Sequence, residues 1–399
     1  MRALFISDVY FPRVNGVSTS IATFRQDLAQ CGVETTLVAP HYGTDAQKDE
    51  PGVVRVSSGR VPGDPEDRRM RWAHLERTLR ALRSESFDLL HIHTPFVAHY
   101  AGVRFARAAG LPRLATYHTF FEQYLHHYVP VLPRAAGGLL ARAFTRSQCR
   151  DVDAVIAPSE PMREVLTGYG VTTPIHVIPT GLPADCFRQG DGARFRALVG
   201  LPPGRPLVLY VGRVAHEKNI EFLLRVFAGV RRQVPEAMLV IAGEGPAARA
   251  LQHSAERLGL SQDVRFVGYL DRNQALLDCY AAAQVFVFAS RTETQGLVLL
   301  EAMAQGAPVV STAELGTKSI LGNDAGAIVV AEKVDEFAAA VVRVLNTPAL
   351  RERLSAQGRA HARSWSSLAM ARKVADVYRT LRASRGAPAA RAAQQPDPR

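Results

Sequence analysis

Two glutamates, Glu293 and Glu301, stand eight residues apart in the stretch QVFVFASRTETQGLVLLEAMAQGAP, residues 284–308. An apolar strand, Val285–Phe288, leads into a polar loop holding Glu293. The pattern predicts a helix opening near Gly296 and carrying Glu301 about a turn and a half inside it. Gly306 sits where a helix C-cap is expected, and Pro308 follows it. A helix start offers unpaired N–H groups and a partial positive charge, which suits phosphate or a polar sugar. Two acceptor carboxylates beside it suit a ligand rich in hydroxyls. Pyrophosphate plus two sugars is the composition of a nucleotide sugar. Most glutamates are simply solvated. Glu301, however, is flanked by Leu297-Val-Leu-Leu and Ala-Met-Ala, where a charge needs a partner.

A second constellation is Leu-Val-Leu-Tyr-Val-Gly-Arg-Val-Ala-His-Glu-Lys-Asn, residues 207–219. It places Arg213 and Lys218 beyond a strand and before a helix. Arg213 offers a planar fork for a diphosphate and Lys218 a point charge. Together they read as a clamp for an anionic leaving group. Gly16, in the loop after the first strand, would let backbone approach a ligand closely. His118 follows the strand Arg113–Tyr117, at a carboxyl end where site residues are expected. His91 and His93 share one face of another strand, but no compact ligand set surrounds them, so no metal site is expected. Neither the Gly16 loop nor Ala242-Gly-Glu-Gly-Pro is a GxGxxG fingerprint, which disfavours a nicotinamide dehydrogenase.

These loops need elements to hold them. Ala3–Ser7, Val33–Ala39, Leu89–His93, Arg113–Tyr117, Ala154–Ala157 and His176–Ile178 read as strands, with helices such as Ser18–Cys31 between them. The pattern then restarts with strands at Leu207–Val211, Met238–Ala242, Val264–Val267 and Val285–Phe288, and a helix at Asn219–Gln233. Such alternation predicts an α/β protein of two doubly wound parallel sheets. The expected domains are 1–182 and 183–365, facing each other across a cleft, with a last helix over 366–384 and a disordered tail at 385–399. Another helix is expected from Pro348 to Ser364, capped by Thr347.

The chain has 399 residues, 47% of them hydrophobic, which is enough for two cores. No apolar run reaches the roughly 20 residues of a membrane span, and the first residues read as a strand rather than a signal peptide, so a cytosolic setting is expected. Cys31, Cys149, Cys186 and Cys279 are scattered and are expected to be reduced thiols. The net charge of +11 calls for an anionic partner. No nucleic-acid module accompanies it. A lipid surface fits two segments better. Over Arg68–Arg83 one helical face would carry Trp72, Leu75, Leu79 and Leu82 amid arginines. Over 134–150, a segment with no acidic residue, Arg142, Arg146 and Arg150 share a face. The aromatic stretch 120–133 leads into that basic helix, as suits a lipid headgroup boundary.

Taken together, the Gly16 loop, the Gly-Arg-Val-Ala-His-Glu-Lys-Asn run and Thr292-Glu-Thr-Gln-Gly-Leu through Glu301 resemble the family 4 retaining glycosyltransferases. That resemblance implies the GT-B fold and covers nearly the whole chain. It implies that Arg213 and Lys218 bind the donor diphosphate and that Glu301 binds the nucleotide ribose. Glu293 and the Gly296–Leu297 backbone would hold the transferred sugar, Gly16 would close on the diphosphate, and Tyr269 would contact the base. His118 would line the sugar and acceptor site. The last helix would cross back onto the N-terminal domain. Many members have Ser-Phe where this chain has Thr294-Gln295, and Gln295 is expected to make the sugar-facing loop more polar. Tyr117-His-Thr-Phe-Phe-Glu-Gln-Tyr and the basic helix resemble bacterial diacylglycerol glycosyltransferases and lipid mannosyltransferases.

The expected function is metal-independent transfer of a hexose from a nucleotide sugar, of UDP-glucose or GDP-mannose type, to a lipid acceptor. The expected location is the cytoplasmic membrane face, with no cofactor and no nucleic acid involved. The alternatives are a soluble or polysaccharide acceptor, a nucleotide-sugar epimerase, and a non-enzymatic sugar-binding protein.

Overall fold

The computed structural model describes residues 1–43, 50–61, 64–118, 134–271, 274–322 and 325–386, with 64–67, 134–137 and 385–386 described by backbone alone. Two compact units divide the chain. One holds Met1–Ala157, Arg163–Ile178 and the segment from Leu368; the other holds Pro158–Met162 and Pro179–Ser367. The division thus falls after Ile178 rather than after residue 182, and Pro158–Met162 sides with the second unit.

In the first unit the strands are β1 (Arg2–Ile6), β2 (Glu34–Pro40) and β3 (Val53–Val56), an antiparallel ribbon of β4 (Ser58–Val61) and β5 (Asp64–Met70), then β6 (Leu89–Ile92), β7 (Arg113–Thr116), β8 (Ala154–Ala157) and β9 (Ile175–Val177). The main sheet runs β3-β2-β1-β6-β7-β8-β9, parallel throughout. The second unit has β10 (Leu207–Val211), β11 (Met238–Ala242), β12 (Val264–Gly268), β13 (Val285–Phe288), β14 (Val309–Ser311) and β15 (Ala327–Val329), in the parallel order β12-β11-β10-β13-β14-β15. Each residue of β10, β11 and β13 is buried, because helices cover both faces of a parallel sheet. Strand order reverses between β1 and β6 in one sheet and between β10 and β13 in the other. Ligands of such sheets gather at the carboxyl ends beside these switch points.

The first long helix, Gly16–Gln30, starts at Asn15, whose side chain accepts a hydrogen bond from the Ser18 amide. The last helix spans Ser367–Gly386, so it includes the first residues of the expected tail; 387–399 lie outside the described residues. Its Ala371, Val374, Ala375 and Tyr378 join the first unit's core with Phe5, Leu28 and Leu89. Thr347 stands at the N-cap of Pro348–Arg363 but makes no side-chain cap bond, contrary to expectation, and Pro348 opens the helix.

The expected amphipathic helix Arg68–Arg83 is corrected. Residues 64–70 form β5, and the helix runs only Trp72–Ala81. Leu75, Leu79 and Leu82 are core residues, whereas Trp72 is exposed. Apart from Trp72, the stripe is one the fold itself buries.

Candidate active site

The site in the second unit begins where β10 ends. Gly212 N donates to Ala242 O (3.0 Å) and Val214 N to Glu244 O (2.8 Å), which lashes the loop after β10 to the loop after β11. A Cβ at Gly243 would lie 2.0 Å from Gly212 O, and one at Gly245 2.3 Å from Val214 O. The glycines at 243 and 245 are therefore a packing requirement of these loops.

Arg213 leaves this junction with its Nη1 3.6 Å from Glu217 Oε1, both side chains largely shielded. Lys218 closes a short 3-10 turn, His216–Lys218, and Asn219 (φ 57) redirects the chain into the helix Ile220–Gln233. Asn219 Nδ2 donates to Ala289 O just past β13 (3.2 Å), bridging the two strand ends at the switch point. Lys218 Nζ donates to Glu293 Oε1 at 2.5 Å. The two strand ends therefore deliver a cation and a carboxylate to one spot.

The loop holding Glu293 is pinned on several sides. Gly316 N donates to Glu293 O (2.8 Å), and Ser159 Oγ donates to Thr294 O (2.7 Å). Gly316 passes so close that a Cβ there would sit 2.0 Å from Thr294 O. Gln295 differs from expectation. Its side chain is buried, and Oε1 accepts from the Thr180 amide at 3.0 Å, so it ties the loop to the chain entering the second unit.

Gly296 adopts φ 94, and a Cβ there would meet Thr317 Cγ2 at 2.9 Å, so the helix Leu297–Ala304 can start here only from glycine. Glu301 lies within that helix, 4% exposed, and Tyr280 Oη donates to its Oε2 at 2.9 Å. The partner that a buried carboxylate demands is thus a tyrosine on the preceding helix, which the sequence reading missed. Tyr269 follows β12, half exposed, with its amide 3.4 Å from Glu244 Oε1. The carboxyl ends of β10, β11, β12 and β13 so present Arg213, Lys218, Glu244, Tyr269, Glu293 and the Gly296 helix start. Such a rim can neutralise a diphosphate and accept from hydroxyls.

In the first unit, Gly16 is the first residue of its helix, and a Cβ there would meet nothing within 4 Å. Asp8, another residue missed in sequence, follows β1 and accepts from Thr94 Oγ1 (2.9 Å) and from the Ala98 amide (3.1 Å). It thereby caps the helix Val97–Ala109, whose own N-cap, Phe96, gives no side-chain bond. Burial pushes its pKa up to about 6 against these hydrogen bonds. His118 Nε2 lies 3.2 Å from His93 Nδ1. His91 bonds Tyr378 Oη (2.6 Å) and Thr116 Oγ1 (2.7 Å). Burial pushes His118 down to about 4 and holds His91 and His93 well below the usual range. All three rings are therefore neutral near pH 7. Among the described residues, no three His, Cys, Asp or Glu side chains gather as a metal site.

Residues 14–185 match the family model described as Glycosyltransferase Family 4, and residues 193–361 match Glycosyl transferases group 1. An alpha-monoglucosyldiacylglycerol synthase from Streptococcus pneumoniae is 33% identical over 325 residues, 78% of this chain and 71% of the relative. The chain belongs to this glycosyltransferase family. It is an enzyme, a hexosyltransferase.

The glycosyltransferase is also 29% identical, over 329 residues, to a GDP-mannose-dependent alpha-mannosyltransferase from Mycobacterium tuberculosis, covering 80% of this chain and 81% of the other. Its fold matches that of sucrose-phosphate synthase from Thermosynechococcus elongatus with a TM-score of 0.78 at 23% identity, over 96% of this chain and 99% of that one. The fold is GT-B.

The surface residues expected to meet lipid divide. On the helix Arg134–Arg150, Ala141, Thr145, Gln148 and Cys149 face inward, while Arg142, Arg146 and Arg150 are exposed along with Leu139 and Leu140. Arg142 stacks over the Tyr169 ring at 5.4 Å. The aromatic stretch 120–133 lies outside the described residues. No helix among the described residues is long and apolar enough to cross a membrane.

Proposed function

We propose that this glycosyltransferase moves a hexose from a nucleotide sugar, of UDP-glucose or GDP-mannose type, to a hydroxyl of a lipid such as diacylglycerol or a glycolipid. The work is done at the cytoplasmic face of the membrane and with retention of configuration. The observation that carries this reading is the meeting of Lys218 and Glu293 at the switch point, beside Arg213 and the helix start at Gly296. Lys218, Arg213 and the backbone amides at that helix start take the diphosphate, whose growing charge they stabilise as the bond to the sugar breaks. Glu293 and the Gly296–Leu297 backbone hold the hexose, Glu301 the ribose, and Tyr269 the base. Gly16 approaches the diphosphate, and a neutral His118 meets the sugar and acceptor as a hydrogen-bonding group without adding charge. The acceptor hydroxyl attacks on the face the diphosphate leaves, and a diphosphate oxygen takes its proton. No divalent metal and no cofactor are needed in this scheme.

Lipid as acceptor is supported by the exposed Leu139 and Leu140 beside Arg142, Arg146 and Arg150. It is supported as well by the relative named for diacylglycerol. Burial of Leu75, Leu79 and Leu82 removes one expected lipid surface and favours, as the second reading, a soluble or polysaccharide acceptor. Proton NMR of the first-formed product tests the stereochemical core of the proposal. An α-linked product from an α-linked donor is expected; a β-linked first product would overturn it.

A further inference from the structure

A buried carboxylate of the second unit, Glu301, is held by a fully buried tyrosine, Tyr280. Glu301 is 4% exposed and sits on the helix Leu297–Ala304. Its side chain has three rotatable bonds, the last of them broad, so the helix alone leaves its carboxylate poorly aimed. Tyr280 Oη donates to Oε2 at 2.9 Å within the core. Tyr280 is itself fully buried on the helix Ala275–Ala281, and its ring packs against Phe286 of β13 at 5.8 Å. The helix and the switch-point strand β13 thus fix one hydroxyl, and that hydroxyl bonds one carboxylate oxygen. A charge-assisted bond of this kind in a low-dielectric interior is stronger than one at the surface.

We propose that Tyr280 is a positioning residue for donor binding: it holds Glu301 at the angle from which the carboxylate receives the nucleotide's ribose hydroxyls. This rests on the reading of Glu301 as the ribose acceptor. A ribose contact is remote from the bond that breaks, so it is made equally in the ground state and the transition state. Losing it raises KM and spares kcat. A purely structural tyrosine behaves differently, since its loss lowers the unfolding midpoint and the active fraction but leaves the KM of the surviving enzyme unchanged.

The test compares Tyr280→Phe, Glu301→Gln and the double variant on donor KM, kcat and thermal midpoint. Calorimetry then measures binding of UDP and GDP and of their 2′-deoxy and 3′-deoxy forms. Tyr280→Phe is expected to raise donor KM roughly tenfold with kcat within about twofold. It is also expected to shrink the wild-type preference for ribo- over deoxynucleotide. The double variant is expected to fall short of the product of the single effects, because both act on one contact. If Glu301→Gln leaves KM and the ribose preference intact, the ribose reading of Glu301 fails and the proposal with it. If Glu301→Gln loses both while Tyr280→Phe keeps both, Glu301 stands and the role of Tyr280 is overturned. Should Tyr280→Phe fail to fold, Tyr280→Leu, which keeps an apolar side chain in the site and removes the donor, is read on the same deoxynucleotide ratio. An unchanged ratio there overturns the proposal.

Discussion

Lys218 Nζ and Glu293 Oε1 lie 2.5 Å apart although 75 positions separate the two residues in the chain. One was expected to hold a diphosphate and the other a sugar. They meet because β10 and β13 are adjacent strands whose order reverses between them, so both loops emerge at the same place. The pair is largely shielded, with side chains 17% and 21% exposed, so each charge strongly sets the other's position. In the proposed scheme an arriving diphosphate would compete with Glu293 for Lys218 and would leave Glu293 able to turn toward hydroxyls.

Lys218→Ala and Arg213→Ala should each lower kcat on the order of 10²-fold or more, with the thermal midpoint nearly kept, because the lost contact strengthens as the leaving group departs. Steady-state kinetics beside a melting curve checks this. Near-normal turnover in both variants removes the clamp.

Gly16→Ala separates folding from ligand contact. A Cβ at Gly16 meets nothing within 4 Å, and the residue opens a helix, so alanine should hold or raise stability by about 0.4–1 kcal/mol. On the proposed ligand role of Gly16, donor KM should nevertheless rise, because the new methyl would keep the backbone from close approach to the diphosphate. Unchanged KM would make Gly16 an ordinary turn residue.

The buried histidines set a pH dependence. His91, His93 and His118 titrate below the usual histidine range, so the unfolded chain binds protons that the folded one refuses. Their stabilising effect is complete above about pH 6.5 and is lost as pH falls toward 4, at up to about 1.4 kcal/mol per pH unit for each. Asp8 works in the opposite sense. Raised to about 6, it takes up a proton in the folded state first, so it adds stability as pH falls from about 6 to 4. Urea midpoints should fall with acidification below pH 6.5, and more steeply in Asp8→Asn, which lacks the opposing term. A flat profile over that range would contradict the burial of these rings.

Much of this was legible in the sequence where local chemistry decides it. The strands at Leu207–Val211, Met238–Ala242, Ala154–Ala157 and Val285–Phe288 are unbroken apolar runs, and their limits coincide with the structure. The helix start at Gly296 was legible because only glycine tolerates φ 94 there. What local pattern cannot show is which side of an apolar stripe meets the core. Leu75, Leu79 and Leu82 have the spacing of a lipid face and serve a protein interior. Nor does spacing reveal partners distant in sequence. The bonds from Tyr280 to Glu301, from Thr180 to Gln295 and from Thr94 to Asp8 exist only once the sheets are assembled. A demand was visible for Glu301, a charge amid leucines, but not the residue that meets it.

Replacing Arg142, Arg146 and Arg150 together by Gln should weaken binding to anionic vesicles and reduce its salt dependence, at about 1 kcal/mol per basic residue near the surface. Donor affinity should be unchanged. Vesicle sedimentation equal to that of the parent enzyme would make this an ordinary solvated face.

On the proposal that Arg213, Lys218 and backbone amides meet the diphosphate charge, excess EDTA should leave transfer intact. Complete loss restored by magnesium or manganese would show a metal requirement.

Lipid glycosylation itself is read by incubating the enzyme with a panel of UDP- and GDP-hexoses and extracted membrane lipid and identifying the products by mass spectrometry. One preferred donor, a lipid gaining a single hexose mass, and loss of that product in Lys218→Ala are expected. Hexose appearing only on water-soluble or polysaccharide acceptors, with the lipid fraction unchanged for every donor, would contradict that expectation.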